Sequence, residues 1–160
     1  MHAMGLHYLG LIAAIKGDHT EAISLYDQCL REAEFVGYRR GAARAHLHLA
    51  DSYKFNDASD ALDHLKDCLR IRREFDDQRG LVEGLVVAAA VFEVALPELA
   101  CKMLGVLELL PVDAISLLTV KLDELRLKAG SGYDDRDGWV EQGRRLSLHD
   151  AIDLVLSARM

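Results

Sequence analysis

The chain has 160 residues and a formal charge of −7, is 51% hydrophobic and 28% charged, and holds only two prolines and few aromatic residues. That balance fits one helical globular unit with a sizeable core, and acids interspersed with Arg and Lys along the whole length argue against direct binding of nucleic acid. Three cysteines, Cys29, Cys68 and Cys101, make no Cys-x-x-Cys pair and leave an odd count, which argues against a disulfide framework or zinc ribbon and fits a reducing cytoplasm.

Taken in order, the segment from Met1 to Ile15 is mildly apolar, with Leu6, Leu9 and Ala13 at helical spacing. It contains His2, Gly5 and His7 and lacks a basic leader and a small-residue cleavage pattern, so it reads as a helix and not as a signal peptide. Gly17-Asp18 closes it. Asp18, with Glu21 three residues on, supplies an N-cap and capping-box partner for a second helix, whose apolar face is Ala22, Leu25, Tyr26, Cys29, Leu30 and Ala33. Arg40-Gly41 precedes an Ala- and Leu-rich helical run, and Asn56-Asp57, with Asp60 beyond, repeats the capping device. Arg79-Gly80 opens the next run. Its apolar stretch, Leu85 to Phe92, is far shorter than the roughly twenty residues needed to cross a bilayer and is expected in a buried helix. Pro97-Glu98 marks the start of the following helix, since proline is tolerated in a first turn.

The units repeat. Ala22, Ala61 and Ala100 are 39 residues apart each time, the same offset links Cys29, Cys68 and Leu107, and it links Arg40-Gly41 to Arg79-Gly80. A fixed period of this size identifies a solenoid of helix pairs. The alanines have a physical reason, because two antiparallel helices approach closely only where no large side chain intervenes. After Leu110 the register ends. Pro111 breaks the chain, Val112 to Lys128 reads as another amphipathic helix, and Gly130-Ser131-Gly132-Tyr133-Asp134-Asp135 is a loop. A short run holding Trp139 and Val140 leads to Arg144-Arg145, and Ser147 with Asp150 starts a last helix carrying Leu148, Ala151, Ile152 and Val155 on one face. A terminal repeat needs an atypical cover for its apolar side. The expected fold is therefore all-α: a right-handed α-solenoid with three helix pairs over 1–110 and C-terminal helices over 111–160 capping the stack, together one structural domain.

Leu9-Gly10, Ala13, Ala22, Tyr26 and Cys29 closely follow the pattern of tetratricopeptide units, and Leu49-Ala50, Tyr53, Ala61, Leu65 and Cys68 follow it more loosely. The chain thus resembles that family, although the proline at the unit's end is missing and the period exceeds the usual roughly thirty-four residues. The longer period, the Arg-Gly signals and the closing segment from Trp139 to Ile152 resemble something narrower, the C-terminal repeat region of bacterial signal-transduction ATPases and LuxR-type transcriptional regulators. That resemblance implies a sensory or regulatory role. The chain has no Gly-x-x-x-x-Gly-Lys-Ser/Thr sequence and no separate basic helix-turn-helix, so it is expected to be only the regulatory end of such a protein. The first helix starts almost at Met1 without a preceding cap, which agrees with that expectation.

Candidate chemistry is sparse. His46 and His48 are two apart, on different sides of a helix, where they cannot easily share a metal. His64, near Asp60, Asp63 and Asp67, reads as part of a solvated charged face, and Asp134, Asp135 and Asp137 do not complete a calcium loop. The cysteines are read as packing residues. Arg70, Arg72 and Arg73 are offset by Asp67, Glu74, Asp76 and Asp77, and Trp139 is read as a packing anchor. No residue pair has a spacing that catalysis demands, so neither an active site, a cofactor nor a bound metal is expected. The first helices of successive repeat pairs line a groove that takes peptides or helices, and the register points His7, Leu11, Arg44, Asp51, Lys54, Glu83 and Glu93 toward it. Their mixed charge suits a protein or peptide, or another domain of the same polypeptide, and neither nucleic acid nor membrane. An effector-sensing domain and a stand-alone adaptor that dimerises through an exposed repeat end are the alternative readings.

Overall fold

The computed structural model describes the backbone of residues 2–110 and 116–160, and the side chains of residues 4–110 and 122–160. The expected break at Pro111 and the expected helix start at Val112 lie outside the described residues. Within them are nine helices and no strand: α1 (His2–Ile15), α2 (His19–Phe35), α3 (Arg39–Tyr53), α4 (Ala58–Glu74), α5 (Gln78–Ala95), α6 (Pro97–Leu109), α7 (Ser116–Lys128), α8 (Arg136–Arg144) and α9 (Leu148–Ser157). The fold is an all-α helical repeat, as the 39-residue period predicts. It divides into two compact units, Met1–Asp77 and Gln78–Met160. No described helix is long and apolar enough to cross a membrane.

In the first unit α1 packs on α2, α2 on α3, and α3 on α4, with α1 also touching α3. The turns follow from the sequence. Asp18 caps α2 by accepting from the Glu21 N–H at 3.0 Å, and Asp57 caps α4 by accepting from the N–H groups of Ser59 and Asp60 at 3.0 and 3.1 Å. Each satisfies a donor that the first helical turn leaves free. Gly17 and Gly37 take φ of 82° and 69° after α1 and α2, a conformation that favours glycine and ends the helix sharply. Ala22 and Ala61 are fully buried. Gly10 has an equally specific reason, because a Cβ there would lie 2.6 Å from the Tyr26 ring. Arg70 pairs with Asp67 at 2.8 Å, and the buried Arg72 reaches Asp77 at 3.6 Å, so the basic cluster is matched by neighbouring acids.

In the second unit α5 packs on α6, and α6 meets α8 closely. Gly105 and Gly143 form that crossing. A Cβ on Gly105 would lie 2.1 Å from the Val140 carbonyl oxygen, and one on Gly143 would lie 2.2 Å from the Lys102 carbonyl oxygen. Arg144 of α8 reinforces the contact by pairing with Glu108 at 2.8 Å. Ala100 is fully buried, as its register position requires. The final helix starts on a complete capping box, in which the Asp150 N–H donates to Ser147 Oγ at 3.1 Å and the Ser147 N–H donates to the Asp150 carboxylate at 3.0 Å. It packs against α5 and α6 with Ala151, Ile152 and Val155 fully buried. Trp139 is half-buried beside Tyr133, the rings 5.6 Å apart.

Candidate functional site

The side chains with most chemical character in the first unit gather where α1 and α3 run beside each other. Arg44, His48 and Asp51 stand at i, i+4 and i+7 on α3, and His7 and Leu11 at i and i+4 on α1, so each helix contributes one face. The rings of His7 and His48 are 4.8 Å apart. Beneath them lies Tyr26 of α2, stacked on His48 at 5.0 Å with an interplanar angle of 17°, and 6.2 Å from His7. Tyr26 is only 1% exposed, and its hydroxyl has no hydrogen-bond partner among the described residues. Burial above all, then the charges of Asp51 and Cys29, push its pKa up to about 12, so it stays protonated at any physiological pH. His7 is shifted the other way, by burial and then by the Arg44 guanidinium. It is therefore neutral at pH 7.

Beyond the rings the strip becomes ionic. Lys54 and Asp51 pair at 2.5 Å, with side chains 16% and 23% exposed. The Lys54 ammonium also sits 4.8 Å from the centre of the Phe55 ring, and Phe55 in turn contacts His19 at 4.6 Å. Arg44 at one end is exposed. The strip thus offers a guanidinium, two imidazoles, a carboxylate, an ammonium and an exposed aromatic ring. Such a surface matches a peptide of alternating polar and apolar side chains better than a ligand of one charge.

Residues 2–74 match the tetratricopeptide repeat family. The matched stretch holds α1–α4, both helix pairs of the first unit, and the whole strip. Tetratricopeptide repeats generally mediate protein–protein interaction and are typically non-catalytic. Neither a curated protein nor a solved structure matches the chain.

Of the residues expected to line a groove, His7, Leu11, Arg44, Asp51 and Lys54 lie on α1, α3 and the end of α3 in the matched stretch, where His7 meets the rings of Tyr26 and His48 and Asp51 pairs with Lys54. Glu83 and Glu93 stand half-buried on α5 of the second unit, where Glu83 pairs with Arg79 at 3.6 Å. Tyr26 and His48 were not among the expected residues, although the Arg44, His48, Asp51 spacing carries His48 onto the same face.

His64 departs from the expectation of a solvated charged face. It is half-buried and turned into α3, its Nδ1 lying 2.9 Å from His46 Nδ1, with Tyr53 stacked on it at 5.5 Å. The carboxylates at i−4, i−1 and i+3 suggested a charged surface, whereas the partner that orients the ring comes from the preceding helix. Only one of the two facing nitrogens can carry the hydrogen. Burial and then His64 lower the pKa of His46, with Asp67 opposing. His46 and His48 therefore serve opposite sides of α3. Among the described residues no group of three or more His, Cys, Asp or Glu is placed to hold a metal. Cys29, Cys68 and Cys101 are buried cysteines, and burial pushes the Cys29 and Cys101 thiols up. At neutral pH these two are protonated and poorly nucleophilic.

Proposed function

We propose that the chain is a non-catalytic interaction module whose tetratricopeptide region holds a protein or peptide on the strip of His7, Leu11, Arg44, His48, Asp51 and Lys54. The observation that carries this reading is the layered construction of the strip. The rings of His7, His48 and Tyr26 pack on one another and Asp51 pairs with Lys54, so these side chains are held before a partner arrives and little ordering entropy is lost on binding. A partner with an acidic group near Arg44, a basic group near Asp51 and an apolar side chain between them fits the order of groups.

We also propose a regulatory setting, the C-terminal repeats of a bacterial transcriptional regulator or signal-transduction ATPase, with the partner being another protein or another domain of the same polypeptide. The support is the resemblance of the segment from Trp139 to Ile152, together with the Arg-Gly pairs in the first turns of α3 and α5.

Affinity capture from cell extract, with wild type beside Arg44→Glu, Asp51→Lys and the exposed control Asp63→Lys, tests the binding face. The strip reading expects a protein held by wild type and the control and lost by both strip variants, each matched to wild type in thermal melting. Equal capture by all four proteins refutes it.

A further inference from the structure

The helix pair α3–α4 is fastened by a contact that neither neighbouring repeat uses. His46 of α3 and His64 of α4 bring their Nδ1 atoms to 2.9 Å, with the ring centroids 5.2 Å apart. At the 39-residue offset these two positions become Leu85 and Met103, both fully buried. With Leu9-Gly10 aligned on Leu49-Ala50, and Ala22 on Ala61, they become Leu6 and Leu25, which pack against the core of the first unit. An apolar pair thus serves the same place before and after. Burying polar groups there carries a desolvation cost that an apolar pair avoids, so helix packing alone does not account for the two histidines.

What the imidazoles add is a response to protons. In the neutral pair one Nδ1 donates its hydrogen and the other accepts it. A first proton can enter on Nε2 of the donating ring, and the bond persists in a stronger, charge-assisted form. A second proton has only the accepting Nδ1 left to occupy. It ends the hydrogen bond and sets two N–H groups and two positive charges face to face.

The charged groups around the pair do not prevent this. From α4 comes Asp67, which favours the charged form of His46. Asp27 of α2, Asp60 of α4 and the cap residue Asp57 act on Tyr53, the ring stacked on His64. α1 holds no acidic or basic residue besides its histidines, and His7 meets His48 on the other side of α3, the side of Arg44 and Asp51. The carboxylates steady one positive charge, but they cannot return the lost acceptor. Burial, and then His64, hold His46 below the ordinary imidazole value against the pull of Asp67.

We propose that His46 and His64 form a proton-operated latch, which holds α3 on α4 with no proton or one bound and opens this helix pair when the second proton arrives. The opening falls in mildly acidic solution, and it does not depend on what the strip binds.

NMR on the 160-residue chain with ¹⁵N-labelled histidine tests the latch. At pH 8 a scalar coupling between the two Nδ1 atoms should report the shared hydrogen. Titration toward pH 5 should resolve two steps for the pair, separated by more than about one pH unit, with the coupling kept through the first and lost during the second. Amide protection in α3 and α4, corrected for the intrinsic pH dependence of exchange, should fall at least tenfold as the second proton enters. His46→Asn keeps a hydrogen-bonding group near the position of Nδ1 but cannot take that proton, so its protection should stay constant over the same range. The double variant His46→Leu with His64→Met, which installs the residues of the next repeat, should do the same. Absence of the coupling at pH 8, independent titration of the two rings, or a second step that leaves protection unchanged overturns the proposal from wild type alone. An equal fall in His46→Asn overturns it as well.

Discussion

Tyr26→Phe tests whether the floor of the strip is built as described. The substitution keeps the ring that stacks on His48 and fills the space over Gly10, and it removes only a buried hydroxyl without a hydrogen-bond partner. Leaving such a group unsatisfied costs roughly 1–3 kcal/mol. Loss of the oxygen leaves a small void, so the variant should be more stable than wild type by about 1 kcal/mol at pH 8. The same residue makes a second, independent forecast. Its pKa is raised in the fold, from 10.0 to about 12, so its contribution is fully present below pH 10 and is lost as pH rises toward 12. Linkage puts that loss at about 1.4 kcal/mol by pH 11. Urea unfolding at pH 8 and pH 11, on both proteins, measures the two effects. The gap in favour of the variant should widen by about that amount between the two pH values. A variant less stable at pH 8 would refute the reasoning and show that the hydroxyl has a partner, and a gap that does not change with pH would refute the raised pKa.

Other expectations follow from particular contacts. Gly143→Ala should lose about 2–3 kcal/mol despite a gain of about 1 kcal/mol in helix propensity, because its Cβ would meet the Lys102 carbonyl; a raised melting temperature would contradict the α6–α8 crossing. Ser147→Ala should cost about 1 kcal/mol through loss of the α9 cap, read as a lower urea midpoint and faster amide exchange in the first turn of α9. Acid should weaken the first unit. His46 is held below its usual pKa, so the unfolded chain binds the proton first and stability falls as pH drops through about 6.5. Urea midpoints at pH 7.5 and 5.5 should show that decline, and His46→Gln should flatten it.

Much of the fold can be read from the amino acids because its determinants are local or periodic. The alanines at 22, 61 and 100 announce the repeat, and each proves fully buried. The caps at Asp18, Asp57 and Ser147 are short-range devices that a few residues specify. The α6–α8 crossing is different. Gly105 and Gly143 are far apart in sequence, and a glycine inside a helical run reads locally as a weak point, with no sign of the backbone it must admit. His64 misleads for the same reason: three nearby aspartates are visible in the sequence, while the ring from α3 that turns it inward is not. The strip lies between these cases. Helical spacing finds its charged tips, but not Tyr26 beneath them, because an aromatic residue at a repeat position carries no mark of a partnerless hydroxyl.

The crossing of α6 and α8 also governs which sequence changes the second unit can absorb. Side chains elsewhere on these helices can trade volume with their neighbours by rotating, but at Gly105 and Gly143 carbonyl oxygens of one helix stand where a methyl group of the other would go. Drift can therefore rewrite most of α8's outward surface freely, while at these two sites even the smallest enlargement, one carbon, is the change least easily accommodated.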